Sequence, residues 1–438
     1  MKRKRLLTAF AILFAGGTHL RADAVLDWNA ISAQAIFAAG RPGPSVVLDF
    51  AVVSGAVHDA VQAYDQTFEP YATDICNATG SPAAAVAKAA RDVLVNRFPA
   101  QAATLDAAYA DYFAANGLAA NDPGVAVGTA AAAGMIALRA DDGAFPNPAP
   151  VFNGANVVGL WRPTPSFLPG PPPSFASMAV PWLAEVTPFV ALSSDQFRCA
   201  PPLDLESMKY AMEYNEVRTL GALVGSSRTP EQTHIAYIWA GNFFAQVNDV
   251  LRYLAQTHLD FSGDRARLFA LTWLAGADAV INTWNNKLFF PTWRPLTAIN
   301  EGNQDGNPNT IGDPNWQPLI NTPNYPEHCS GANALMASTT KTMALFFGTD
   351  DLTFTVSTTN PNAHPNTRVY TRFSDVQAEV VEARILQGIH YRTADLEGRK
   401  VGRRVARWVF HHALRPRHGH HHNCNLGDGE EDHDENED

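Results

Sequence analysis

Ala383-Arg384-Ile385-Leu386-Gln387-Gly388-Ile389-His390-Tyr391-Arg392-Thr393-Ala394-Asp395 places an arginine and a histidine six residues apart with a glycine between them. In an unbroken helix, at 100° per residue, those two side chains would point about 120° apart. They converge only if the helix ends or bends, and Gly388 is the residue that allows it. The spacing therefore predicts a helix that stops near Gly388 and turns Arg384 and His390 toward one point. A cation that never loses its charge beside an imidazole that can gain one suits a tetrahedral oxyanion such as phosphate or vanadate.

Two other stretches have the same character. In Lys287-Leu-Phe-Phe-Pro-Thr-Trp-Arg294-Pro295 the prolines forbid regular helix throughout. Lys287 is thus expected to end a helix and Arg294 to curl back from the loop. In Tyr325-Pro-Glu-His-Cys-Ser330-Gly331-Ala332-Asn333 a glycine opens an apolar helix running to Phe347. Ser330 can cap that helix, and the free N–H groups of a helix start bind anions without any charged side chain.

Outward from these motifs the chain reads as helix. Val46–Tyr64, Pro82–Phe98, Gln101–Asn116 and Gly124–Asp142 are helical in periodicity and punctuation, with Pro82 at a first helical position. His58, within the first of these, reads as a core histidine. Leu205–Gly221 and Asp264–Lys287 follow the same pattern, and Thr229-Pro230-Glu231-Gln232 is a helix start. Strand-like alternation is confined to Leu352–Thr359. The class is all-α, a large helical bundle. Residues 143–204 differ: dense proline, including Pro169 and Pro171 to Pro173, makes them an extended wrapping segment, with Trp161, Phe167, Phe175 and Trp182 to pack it.

The ends have their own chemistry. Lys2 to Arg5, an apolar run to Ala15 and Ala22-Asp23-Ala24 make a secretory signal over 1–24, too short to span a bilayer, so the mature chain is expected to be exported, periplasmic or secreted, with no stable membrane span. The helical body divides into 25–142, the wrapping segment 143–204 and an oxyanion-binding bundle over 205–413. Residues 414–438 form a His-rich and acidic tail, read as solvated rather than metal-binding. Asp428 to Asp438 hold eight acids, so the net charge of -11 leaves the body close to neutral and argues against a nucleic-acid surface. Four scattered cysteines do not form a disulfide framework or a metal spacing; a Cys76–Cys199 bridge is the one entertained, and Cys329 reads as an inert buried thiol.

Lys287 with Arg294-Pro295, Ser330-Gly331, and Arg384 with Gly388-x-His390, in that order, resemble the three-part signature of vanadium-dependent haloperoxidases and type-2 phosphatidic-acid-phosphatase-like acid phosphatases. Trp161-Arg-Pro-Thr-Pro, Thr187-Pro-Phe, Phe197-Arg198, Arg228-Thr-Pro-Glu-Gln and Pro318-Leu-Ile-Asn-Thr-Pro extend the likeness to the bacterial haloperoxidase-like branch, from about Asp27 to Phe410. The resemblance implies a helical bundle in which Lys287, Arg294, Ser330, Gly331 and Arg384 hold vanadate or phosphate. It also implies that His390 attaches to the metal or attacks phosphorus.

Two departures stand out. The middle motif usually ends in a histidine that handles protons, and here it is Ala332. An aspartate often orients the last histidine from four residues on, and here that position is Ala394, with Asp395 one further. His328 is the expected substitute proton carrier and Glu327 a weaker one. The implied activities are oxidation of halide by hydrogen peroxide at bound vanadate, hydrolysis of a phosphate ester through His390, or oxyanion binding with little turnover.

Overall fold

The computed structural model describes residues 23–165 and 177–417. Most of the stretch read as a signal sequence, the proline cluster at 169–173 with Phe167 and Phe175, and the tail from His418 onward lie outside the described residues.

The N-terminal half is a layer of α1 (Ala24–Ala38), α2 (Val46–Asp65), α3 (Pro82–Arg97), α4 (Ala102–Ala115) and α5 (Gly124–Leu138). Local signals start these helices: the Asp23 carboxylate accepts from the amides of Val25 and Leu26, and Ser81 caps the helix whose first residue is Pro82. Asp23 also pairs with Arg265, so cleavage after Ala24 would remove both a cap and an ion pair. Helix α2 is buried over nearly its whole length. Together with the turn before it, it is long and apolar enough to cross a membrane, yet it lies entirely inside the bundle. His58 sits there as expected of a core residue, its Nε2 3.0 Å from the Glu69 carbonyl oxygen, and burial pushes its pKa down to about 4.

The second half comprises α6 (Met208–Leu220), α7 (Pro230–Ile238), α8 (Phe243–His258), α9 (Ser262–Phe289), α10 (Pro295–Asn300), α11 (Gly331–Phe347), α12 (Phe373–Leu386) and α13 (Arg392–His412). Thr229 and Gln232 close a capping box on α7. A short antiparallel hairpin, β1 (Asp351–Ser357) with β2 (Thr367–Arg372), joins α11 to α12; only its first strand is suggested by sequence alternation. Helix α9 is the central post. It is buried almost throughout, stacks Trp273 on Phe50 of α2 at 4.3 Å, and meets α2 and α11 closely at Gly276.

Its polar residues serve the wrapping segment. The Asp278 carboxylate accepts from the amides of Phe189, Val190 and Ala191, while Asn282, Asn285 and Asn286 bond residues 184–199. These bonds satisfy the backbone of a segment that has no ladder of its own. Trp161 and Trp182 are buried, as expected of packing anchors. The amide of Trp161 donates to the Pro291 carbonyl and that of Trp293 to Gly159, which ties the segment to the loop after α9. The expected Cys76–Cys199 bridge does not form: Cys76 is disulfide-bonded, but Cys199 is free and donates to Asn286 Oδ1 at 3.4 Å, and Cys329 is free and buried.

Helices α11 and α13 approach backbone to backbone. A Cβ on Gly398 would meet the Ser330 carbonyl oxygen at 2.2 Å, and one on Gly402 would meet that of Ala334 at 2.2 Å. Gly402→Ala is therefore expected to force the two helices apart at a cost of about 1–3 kcal/mol. Thermal unfolding should show a lowered midpoint; an unchanged midpoint contradicts the tight crossing.

Candidate active site

Three chain breaks bring the predicted residues together. Helix α9 ends with Lys287 in its last turn, and the chain returns through Pro291 to put Arg294 at the cap of α10. The loop 325–330 feeds α11. Helix α12 stops at Leu386, and Gly388 (φ +81) turns the chain so that His390 faces back. Glycine is required there twice over, by its left-handed backbone and because a Cβ would lie 2.5 Å from the Gly221 carbonyl oxygen.

Lys287, Arg294, Ser330, Gly331, Arg384 and His390 are all buried. Lys287 Nζ donates to the carbonyls of Pro326 (2.6 Å) and Glu327 (3.1 Å). Arg294 donates from Nε to the Tyr325 carbonyl, and from Nη1 both to the Ile389 carbonyl and, at 3.0 Å, toward His390 Nε2. Arg384 donates to Gln387 Oε1. Two guanidinium nitrogens, Arg294 Nη2 and Arg384 Nε, are buried without a protein partner. At the start of α11 the Ser330 hydroxyl accepts no bond from a backbone amide of the first helical turn, so those amides are not capped by it. Ser330 thus stands at the cap position without the capping bond anticipated for it.

Burial dominates the electrostatics. It lowers the pKa of Lys287 to about 7, helped by the nearby Arg294, and that of Arg294 to about 10. Burial, then Arg294, Lys287 and Arg384, hold His390 well below an ordinary imidazole, so the ring is neutral. Its Nδ1 lies 3.0 Å from Glu327 Oε1, which also accepts the Tyr391 amide. A carboxylate on Nδ1 fixes the proton there and leaves Nε2 as the lone pair, which faces Arg294 Nη1 at 3.0 Å.

Glu327 thereby takes the place of the orienting aspartate that Ala394 cannot supply. Asp395 serves elsewhere: its Oδ1 accepts from Asn333 Nδ2, which also reaches Ser330 Oγ. The sequence offered Glu327 only as a weaker proton carrier, since its partner His390 is 63 residues away. His328, the residue expected to carry protons, is turned aside. Its Nε2 meets the Ala200 carbonyl at 2.7 Å and its ring abuts Phe290, and it does not line the cavity that reaches Ala332. That cavity, of about 360 Å³, opens onto Gly331, Ala332 and Arg384, with Trp284, Tyr325 and Phe243 in its wall.

The donor set fits a tetrahedral oxyanion. Buried cations, orphaned N–H groups and a helix start without a side-chain cap supply the donors such an anion needs, and Gly331 lets Trp284 pack tightly on the helix start, where a Cβ would press it at 2.9 Å. Among the described residues no cluster of three or more His, Cys, Asp or Glu side chains is placed to hold a metal ion.

Such a pocket, between helices of a bundle, gathers the donors that an oxyanion cradle would need. The family comparison agrees: residues 267–419 match the VCPO second helical-bundle domain. A vanadium chloroperoxidase of Curvularia inaequalis is 30% identical over 195 residues, which is 37% of this chain and 31% of that protein, so the match spans about a third of the relative's length. The first bacterial vanadium-dependent iodoperoxidase superposes with a TM-score of 0.74 at 21% identity, covering 91% of this chain and 97% of that one. A bacterial vanadium-dependent chloroperoxidase superposes at 0.69 in its apo form, with 17% identity over 84% and 92% of the two chains. Residues 267–419 thus carry the likeness to that helical-bundle domain, and the fold as a whole is the one these bacterial proteins adopt.

Two measurements probe the cradle. Glu327→Ala should weaken vanadate binding about 10–100-fold, the usual cost of losing a ligand's orienting partner, whereas His328→Ala should leave it unchanged in calorimetric titration. The second concerns Lys287. With its pKa lowered to about 7, it is largely neutral above that pH in the free protein, and a bound dianion raises its pKa again. Sulfate, which does not titrate near neutrality, should therefore take up a proton on binding above pH 7. Titration in buffers of different ionisation enthalpy reads that uptake, and Lys287→Met should abolish it.

Proposed function

We propose that the chain is an exported, vanadate-dependent haloperoxidase-like enzyme that uses hydrogen peroxide to oxidise halide. The observation that carries this reading is the neutral His390, its Nδ1 proton anchored on Glu327 and its Nε2 surrounded by Lys287, Arg294 and Arg384, two of which keep orphaned donors. Vanadate, when bound, would supply the activation of peroxide toward halide. The protein's own part is electrostatic and geometric. Lys287 and the arginines offset the oxyanion's charge from fixed positions in a buried site, where such interactions are strongest. His390 offers a lone pair that mild acid does not remove, because its pKa lies well below the ordinary 6.5. Ser330 Oγ and the first amides of α11 supply neutral donors. The same cradle would take phosphate, and a phosphate ester would meet His390 Nε2 as a nucleophile.

The test is a paired assay on the full chain. Vanadate, peroxide and iodide or bromide should give halide oxidation that exceeds hydrolysis of a chromogenic phosphate ester. His390→Ala should abolish it, and Arg294→Ala or Arg384→Ala should weaken vanadate binding by about 1.5–3 kcal/mol, the scale of a charged hydrogen bond. Ester hydrolysis without peroxide-dependent oxidation would move the assignment to a phosphatase, and oxyanion binding without either would make the chain a binding protein.

A further inference from the structure

The missing proton-transfer group has a replacement on the cavity wall. Among the described residues lining the cavity, only Arg41, Tyr325 and Arg384 carry titratable side chains. Arg41 is committed to Asp49 at 2.6 Å, and a guanidinium does not give up its proton in this range. Ala332 has no proton, His328 is turned to Ala200, and Glu327 is held by His390 and the Tyr391 amide.

Tyr325 remains. It is half-buried, its ring packed 4.9 Å from Trp284, with Lys287 Nζ 5.0 Å and the Arg294 guanidinium 4.8 Å from its centroid. Among the described residues no hydrogen-bond partner holds its hydroxyl, although its carbonyl anchors Arg294. The Arg294 guanidinium over its ring, and the cavity wall it shares with Arg384, place the phenol beside the cradle.

We propose that Tyr325 is the proton-handling catalytic residue of this site, doing from the cavity wall what a histidine at 332 would do from the helix. The proposal rests on the oxyanion-cradle reading given above. Tyr325 Oη passes its proton to the oxygen that departs as water and takes one from the incoming hydrogen peroxide. One O–H bond of peroxide is broken and one O–H bond of the departing water is made. No electrons move in this exchange, and the phenol ends as it began. With a phosphate ester the same hydroxyl would protonate the leaving alcohol oxygen.

Tyr325→Phe keeps the ring that the cations face and removes only the hydroxyl. It should lower kcat by about 10²–10³-fold, within the range of general acid–base catalysis, while phosphate affinity by calorimetry stays within about twofold, on the view that positioning and proton transfer separate. Adding Ala332→His to Tyr325→Phe should restore at least about tenfold of the lost rate. A readout independent of turnover is nitration of the wild-type chain by tetranitromethane, followed by peptide mass spectrometry: phosphate should protect Tyr325 selectively. Tyr325→Phe with full turnover, or nitration of Tyr325 unaffected by bound phosphate, overturns the proposal while leaving the cradle intact. So does a wild-type chain that binds phosphate but turns over neither substrate. A wild-type chain that binds neither phosphate nor vanadate overturns the cradle reading itself, and this proposal with it.

Discussion

Lys287, Arg294 and Arg384 are taken out of water without a carboxylate bonded to any of them. Burying charge in this way costs several kcal/mol per ion unless something compensates. The compensation within the chain is partial. Carbonyl oxygens of Tyr325, Pro326, Glu327 and Ile389 point at the cations, and Glu327 and Asp395 lie near but are bonded to His390 and Asn333. Burial meanwhile raises the pKa of both acids, which weakens them as counter-ions. The site thus concentrates positive charge that the chain itself only partly offsets, which is the property the proposed oxyanion role uses.

The long segment before α6 takes its meaning from that requirement. It has almost no regular structure, yet its backbone is pinned by the row Asp278, Asn282, Asn285 and Asn286 along α9, the helix that ends in Lys287. Its other end is laced to residues 291–293, just before Arg294. The described parts of the segment are thereby held against the helix and the loop that carry Lys287 and Arg294.

Much of this was legible in the chain. The helices and the convergence at Gly388 followed from periodicity, caps and a glycine that only a turn explains. What stayed hidden depended on contacts between distant residues. Glu327 is an ordinary acid in its own neighbourhood, and becomes the orienter of His390 only through a fold that joins loops 63 residues apart. His328 has the right chemistry but the wrong direction, because side-chain direction in an irregular loop is set by its neighbours, here Ala200 and Phe290. Cysteine pairing was beyond reach for the same reason, and the hairpin after α11 was half visible because only one of its strands has an alternating pattern.

The crossing of α11 and α13 has a consequence for how such proteins diverge. Gly398 and Gly402 let main-chain atoms of the two helices touch, so the separation between the Ser330–Gly331 corner and the helix that follows His390 is set by backbone rather than by interlocking side chains. A spacing fixed in that manner is indifferent to most replacements elsewhere on the two helices. The cavity wall can drift, exchanging a histidine for Ala332 or presenting a phenol at Tyr325, while the cradle keeps its dimensions. Two small residues on one helix of this chain act as the gauge to which the rest of the cradle is cut.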